Sequence, residues 1–106
     1  MVDPESVGAR LRRLEQLLFV LEEIREQGRA PLLDDVRVQL QTEHALQIAI
    51  QICIDIGIHI AGERALRPPD DYRGVFATLA DAGVLEKDLA ARLGDAAGLR
   101  NLLVHE

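Results

Sequence analysis

Three side chains near the end of the chain have the chemistry to act on a phosphate group. His105 can gain and lose a proton near neutral pH, and Arg100 can neutralise charge that develops on a phosphoryl oxygen. Asn101 lies on the same helical side as His105 and can orient either the imidazole or a substrate. Arg100 and His105 are roughly 140° apart around an ideal helix. Within one helix they meet only through the reach of the arginine or a local distortion, a constraint that a dimer relaxes.

A second group of polar side chains lies near the middle of the chain. Asp55 and His59 are one helical turn apart, so the carboxylate can hold a charged or oriented imidazole. They continue a polar stripe that begins with His44, Gln47 and Gln51. Two interpretations stay open: the stripe faces solvent or a dimer seam, or part of it lies beside a cleft that contains Arg100 and His105. No metal-ligand motif such as His-Glu-x-x-His is present, so no metal site is expected.

The elements that must position these groups are predicted to be helices. Asp3 can cap a first helix, in which Pro4 suits the first position. Gly28 ends that pattern, and residues 29–31 cannot easily continue it. The apolar residues recur at helical spacing: Val7, Leu11, Leu14, Leu18 and Leu21. This stripe predicts a helix that packs in a bundle.

The segment from Asp34 to about Ala65 has two conflicting periodicities. Leu46 and the isoleucines at every second position from Ile48 to Ile60 alternate as in a half-buried strand. A strand of that length would far exceed the usual strand length of about five or six residues. The polar stripe, in contrast, falls within a sector of roughly 120° on a helix. We therefore predict a central helix, packed on the bundle on one side and against a second subunit on another.

The last third of the chain predicts two more helices. Pro68-Pro69 breaks the chain, and Asp70-Asp71 places carboxylates at the start of a third helix that Gly83 ends. A final helix then carries Arg100 and His105. Gly94 and Gly98 interrupt its apolar pattern and could permit a kink or the close approach of another backbone.

Composition excludes several classes of protein. A chain of 106 residues that is 48% hydrophobic fits one domain spanning 1–106, too apolar for a disordered chain. No uninterrupted apolar run approaches the roughly 18 residues of a membrane span, and the start lacks the features of a secretory signal. Its lone Cys53 excludes an internal disulfide and is expected to be an inert core thiol. We therefore expect a soluble, cytoplasmic protein with no membrane contact.

The net charge limits the choice of partner without deciding it. A formal charge of −6 argues against a general nucleic-acid binder, because the field of the whole molecule repels phosphate. Lys87 is nevertheless the only lysine, so the remaining cations are arginines. The planar guanidinium suits bidentate contacts to phosphate or carboxylate. The acidic total therefore does not exclude a local phosphate site.

The segment Gly98–Glu106, which reads Gly-Leu-Arg-Asn-Leu-Leu-Val-His-Glu, resembles the signature of HepT-like proteins in the HEPN superfamily. That signature has Gly, Phe, Arg, Asn, two apolar residues, Val and His, so Leu99 departs from it. Upstream segments fit the same family in the expected order: Glu43–Ile50, Asp55–Gly57, Pro68–Phe76 and Ala82–Leu85. The resemblance thus covers nearly the whole chain.

The resemblance implies an all-α, antiparallel helical bundle of four or five helices that forms a homodimer. It further implies a metal-independent endoribonuclease without a cofactor, the toxin of a type II toxin–antitoxin pair whose antitoxin is an MNT-type nucleotidyltransferase. Family mechanism makes Arg100 and His105 the catalytic pair and Asn101 a supporting residue. The spacing of Asp55 and His59, and not the resemblance, makes them possible cleft residues. The substrate would be an RNA, either tRNA or mRNA.

The resemblance also implies a tyrosine soon after the histidine of the motif. In the family, the MNT partner modifies that tyrosine with AMP. Tyr72 is not its counterpart, so we expect the sequence to be truncated after Glu106. Two alternatives stay open: a non-catalytic helical module that binds the nucleotidyltransferase, or a domain in which Arg100 binds RNA or nucleotide without cleavage.

Overall fold

The computed structural model describes residues 4–67 and 70–105, and within these ranges all regular structure is helical. The predicted all-α class, with five helices, is confirmed. The five helices are α1 (Pro4–Glu26), α2 (Arg29–Asp34), α3 (Val36–Glu63), α4 (Tyr72–Asp81) and α5 (Lys87–His105). The proposed cap Asp3 and the break at Pro68-Pro69 lie outside the described residues.

The alternating isoleucines are on a helix, as the polar stripe predicts. Two residues advance a helix by about 200°, so isoleucines at every second position form two rows on opposite sides. Ile50 and Ile54 pack with Phe76 of α4 and with α5. Ile52, with Ile48 and Ile56 beside it, packs against α1. The strand-like alternation therefore records a helix that is covered on two sides.

α3 is the central helix of the bundle. It contacts each of the other four helices, and Ile54 is completely buried. By length and composition alone, α3 could also cross a membrane, although its sequence contains no uninterrupted apolar run of that length. The central helix of a helical bundle also has such a composition, because other helices pack around it.

α4 begins at Tyr72, one residue after the aspartates expected to start it. Asp71 is the N-cap, and its side chain accepts a hydrogen bond of 2.7 Å from the N–H of Gly74. The helix ends at Asp81, and Gly83 has φ +78°, the left-handed conformation that a glycine stop requires. The sequence therefore predicts both ends of α4 to within one or two residues.

Gly94 and Gly98 of α5 make room for the side chain of an arginine. Their spacing had suggested the close approach of another backbone instead. α5 runs through both positions, and the Arg73 side chain of α4 lies across them. A Cβ at Gly94 would lie 3.0 Å from Arg73 Cγ, and one at Gly98 would lie 2.7 Å from an Arg73 Nη atom. Because Gly94 and Gly98 have no side chains, the surface of α5 has a shallow channel that holds Arg73.

The connection between α1 and α3 contains a helix that the sequence did not predict. Gly28 has φ +87° and follows the end of α1, as expected, but α2 begins directly after it at Arg29. Pro31 is tolerated because it lies in the first turn, where backbone N–H groups have no helical acceptor. Asp35 then caps α3 by accepting a hydrogen bond of 2.9 Å from the N–H of Arg37. Residues 29–31 therefore do not continue α1, as expected, but they begin a short helix that the sequence analysis did not predict.

Candidate active site

α3 and α5 form a groove that contains Arg100. The groove has a volume of about 330 Å³, and the Arg100 side chain is half-buried in its wall. Val104, one turn further along α5, lines it as well. Five residues of α3 form the opposite wall: Gln47, Ile48, Gln51, Ile52 and Asp55. Packing of α5 on α3 therefore brings a cation and a carboxylate to one concave surface.

The Arg100 guanidinium has no carboxylate partner among the described residues, because no Asp or Glu there lies within ion-pair distance of it. Its Nη1 donates a hydrogen bond of 3.3 Å to Oδ1 of Asn101, and its Cζ lies 5.6 Å from the centroid of the Tyr72 ring. Neither contact cancels the positive charge. The remaining N–H groups are free to donate to an anion such as phosphate.

On the α3 side, a side-chain hydrogen bond holds Asp55. Nε2 of Gln51 donates to Oδ1 of Asp55 over 2.9 Å, and both side chains are half-buried. Oε1 of Gln51 is buried without a hydrogen-bond partner among the described residues. An unpaired buried acceptor is energetically costly, so this oxygen is a position where a donor group would be stabilising. The sequence indicated this stripe but not the bond within it.

His105 and Asn101 lie on a different side of α5 from the groove. His105 is exposed at the last position of the helix and does not line the groove with Arg100. Asn101 is exposed as well and contacts Arg100 by the bond described above. Exposed apolar side chains flank them: Leu99, Leu102 and Val104, at 42%, 62% and 45% exposure. Within one chain the structure therefore brings Arg100 near Asp55 and not near His105.

The other histidines are not in this groove. His59 is exposed one turn beyond Asp55, beside Ile58 and Gly62, and His44 is exposed near the other end of the stripe. Asp55 bonds to Gln51, and its predicted contact with His59 is not formed. The described residues contain no group of three or more His, Cys, Asp or Glu side chains that could hold a metal ion. Burial raises the pKa of the Cys53 thiol, which packs against the core.

Sequence reasoning missed Tyr72 as part of this region. The tyrosine lies 28 positions before Arg100 along the chain, and only the packing of α4 on α5 joins them. The one available signal is the cap residue Asp71, which fixes the first turn of α4 and so places the next residue at the helix start. No spacing rule connects that turn to α5.

The amino-acid sequence is similar to those of known ribonucleases. The sequence profile of a family described as Ribonuclease HepT-like matches residues 10–106. The tRNA nuclease HepT of Aphanizomenon flos-aquae is 31% identical over 99% of this chain and 71% of its own length. The mRNA nuclease HepT of Shewanella oneidensis is 36% identical over 58% of this chain, and the matched part spans 46% of that protein.

Two solved structures with the same fold are toxin–antitoxin complexes. A toxin–antitoxin crystallised with AMP-PNP superposes with a TM-score of 0.88 at 25% identity, over 94% of this chain and 75% of that one. The tri-AMPylated HEPN toxin of Shewanella oneidensis in complex with an MNT antitoxin superposes with a TM-score of 0.87 at 25% identity. That match covers 99% of this chain and 77% of the other. The sequence comparison and the structure comparison thus both find HepT or HEPN toxin proteins as similar proteins.

Proposed function

The chain belongs to the HepT-like ribonuclease family, and from this membership we propose that it is a metal-independent endoribonuclease, the toxin of a type II toxin–antitoxin pair. The observation that carries the proposal is the position of Arg100. Its guanidinium lines a groove, pairs with no carboxylate in the part of the chain that the structure describes, and has N–H groups free to donate. Such a group stabilises the charge that develops on a phosphoryl oxygen during cleavage of RNA.

In the proposed reaction, the ribose 2′-oxygen attacks the adjacent phosphorus, and the bond from phosphorus to the 5′-oxygen breaks. The products are a 2′,3′-cyclic phosphate and a 5′-hydroxyl end. Arg100 stabilises the phosphorane-like transition state, and His105 takes the proton from the 2′-hydroxyl or gives one to the leaving 5′-oxygen. Asn101 supports the site by accepting the hydrogen bond that restrains Arg100. Because one histidine makes one of these transfers, the other needs water or a second subunit.

The position of His105 favours a homodimer as the active form. Arg100 and His105 face different sides of α5, so one chain does not present both to the same phosphate. Exposed Leu99 and Leu102 on α5 provide apolar area for a contact between two copies of this helix. We propose that this contact brings His105 of the partner subunit to the Arg100 groove. Asp55 would border the resulting cleft, whereas His59 is not brought to the groove within one chain.

We propose an MNT-type nucleotidyltransferase as the antitoxin that binds this chain. The proposal is supported by the two solved neighbours above, which are both toxin–antitoxin assemblies. RNA is the proposed substrate, with tRNA as the first choice because the relative matched over nearly the whole chain is a tRNA nuclease.

The test is end analysis of tRNA incubated in EDTA with the parent protein and with His105→Ala and Arg100→Gln. Exposed His44 supplies a matched control, because His44→Ala removes an imidazole of α3 that does not line the groove. We expect cyclic-phosphate ends from the parent and from His44→Ala only. Cleavage by His105→Ala would remove that residue from the mechanism, and dependence on added Mg²⁺ would overturn the metal-free route.

A second function is favoured by the observation that His105 does not line the groove. A domain that uses Arg100 only to bind phosphate needs no histidine there. In that case the parent and His105→Ala would bind tRNA equally without cleaving it, and Arg100→Gln alone would weaken binding. Filter binding on the same variants therefore separates a nuclease from a phosphate-binding domain.

A further inference from the structure

The ring of Tyr72 lies against the guanidinium of Arg100. The distance of 5.6 Å from Arg100 Cζ to the ring centroid is within the range of a cation–π contact. Tyr72 is the first residue of α4, and 37% of it is exposed. It does not line the groove, so it touches the arginine from outside the surface that a phosphate would occupy.

The residues on both sides of Tyr72 are fixed in place. Asp71 before it caps α4 through the bond to Gly74, described above. Arg73 after it lies across Gly94 and donates from Nη1 to Oδ1 of Asp95 over 2.7 Å. The first turn of α4 is thereby attached to α5, the helix that carries Arg100. No hydrogen bond of the Tyr72 hydroxyl contributes to this arrangement among the described residues.

Contact with an aromatic face leaves the donors of a guanidinium available. The N–H groups of arginine lie in the guanidinium plane, whereas a ring attracts the cation through its π-electron face. Among the described side chains, the one hydrogen bond from Arg100 goes to Asn101 and is long, at 3.3 Å. The ring therefore restrains the direction of the side chain without consuming the groups that a phosphate needs.

We propose that Tyr72 is a positioning residue for Arg100, and that it acts through its aromatic ring and not through its hydroxyl. The ring limits the orientations of the guanidinium and keeps its free N–H groups directed to the groove between α3 and α5. The effect on cleavage rests on the proposed function, in which Arg100 stabilises the transition state. The effect on the arginine itself does not depend on any activity.

Two variants separate the ring from the hydroxyl. Tyr72→Phe keeps the ring, and Tyr72→Leu replaces it with an aliphatic side chain at an exposed helix start. Circular dichroism first establishes that both variants keep the helicity of the parent. NMR of the arginine side chains then reports the Arg100 Nε–Hε group, assigned by its loss in Arg100→Gln. Protons above an aromatic face are shielded, so we expect this resonance to move downfield in Tyr72→Leu and to stay near its parent position in Tyr72→Phe.

Kinetics provide a readout that a merely structural role would not reproduce. Because loss of orientation affects the transition state more than binding, Tyr72→Leu should lower kcat by about tenfold with little change in KM. Tyr72→Phe should restore the parent rate. An unchanged Arg100 resonance in Tyr72→Leu would overturn the proposal, as would a Tyr72→Phe variant as slow as Tyr72→Leu. If the parent cleaves no RNA, the proposed function fails and the resonance alone decides whether the ring positions Arg100.

Discussion

Phe76 and Phe19 are the two phenylalanines of the chain, and they lie in regions with very different packing. Phe76 is 2% exposed between α3, α4 and α5, where neighbouring Val75 is 1% exposed. Phe19 is 66% exposed on α1, and the adjacent α2 has no buried residue. The core between α3, α4 and α5 is closed within one chain, although α5 leaves Leu99 and Leu102 exposed beside Arg100. Arg100 therefore lies on a helix that this core holds in place, whereas Phe19 lies on the exposed side of α1.

The largest effect on stability should come from truncating Phe76, for which Phe19 is the exposed control. Phe76→Ala removes a fully buried ring and should lower the free energy of unfolding by about 3–5 kcal/mol. Phe19→Ala removes an exposed ring and should change it by less than about 0.5 kcal/mol. Urea unfolding of both variants measures the difference. A large loss in Phe19→Ala, growing with protein concentration, would mean that another copy of the chain covers α1.

A smaller effect on stability should come from adding a methyl group at Gly57 of α3, for which Gly62 is the control. A Cβ at Gly57 would lie 2.8 Å from Val75 Cγ1 and 3.4 Å from Leu79 Cδ1, both in the core of the α4 side. Gly57→Ala should therefore cost about 1–3 kcal/mol through overpacking. Gly62, near the end of the same helix, has no atom within 4 Å of a Cβ position, so Gly62→Ala should be neutral or slightly stabilising. Equal melting temperatures for the two variants would show that α4 moves away from α3 at little cost.

The smallest effect on stability should come from the two capping aspartates, which differ in their link to the site. Asp71 caps α4 and Asp35 caps α3, each through one backbone N–H. Replacement of either by alanine should cost about 1 kcal/mol. Asp71→Ala alone should also slow RNA cleavage, because it loosens the turn that carries Tyr72. Equal activity in the two variants, measured at a temperature where both are folded, would contradict that link.

The helices were predictable where two local signals agreed. Gly28 and Gly83 ended helices as expected, and the polar residues from Gln47 to Asp55 correctly identified α3 despite its β-branched isoleucines. α2 was missed because Pro31 was treated as a breaker, although a proline in a first turn removes no helical hydrogen bond. Local sequence rules handle such positions only when the start of the helix is already known.

The candidate site was only partly predictable, for a different reason. The sequence identified Arg100 and allowed Asp55 beside it, since both lie on helical faces with recognisable polarity. It did not predict the Gln51–Asp55 bond, which depends on rotamers, or the Tyr72 contact, which depends on how α4 packs on α5. Gly94 and Gly98 suggested a close approach, but spacing alone could not distinguish a neighbouring backbone from the Arg73 side chain.

The tyrosine beside Arg100 also makes the groove optically observable. Tyr72 is the only tyrosine, and the chain has no tryptophan, so all of its intrinsic ultraviolet fluorescence beyond the weak phenylalanine signal arises at one ring. That ring is in contact with the guanidinium that lines the groove. We expect the emission of this ring to respond when the orientation of Arg100 changes, without a dye or an inserted fluorophore. If it does, the occupancy of the groove by an anion is measurable by titration of the unlabelled protein.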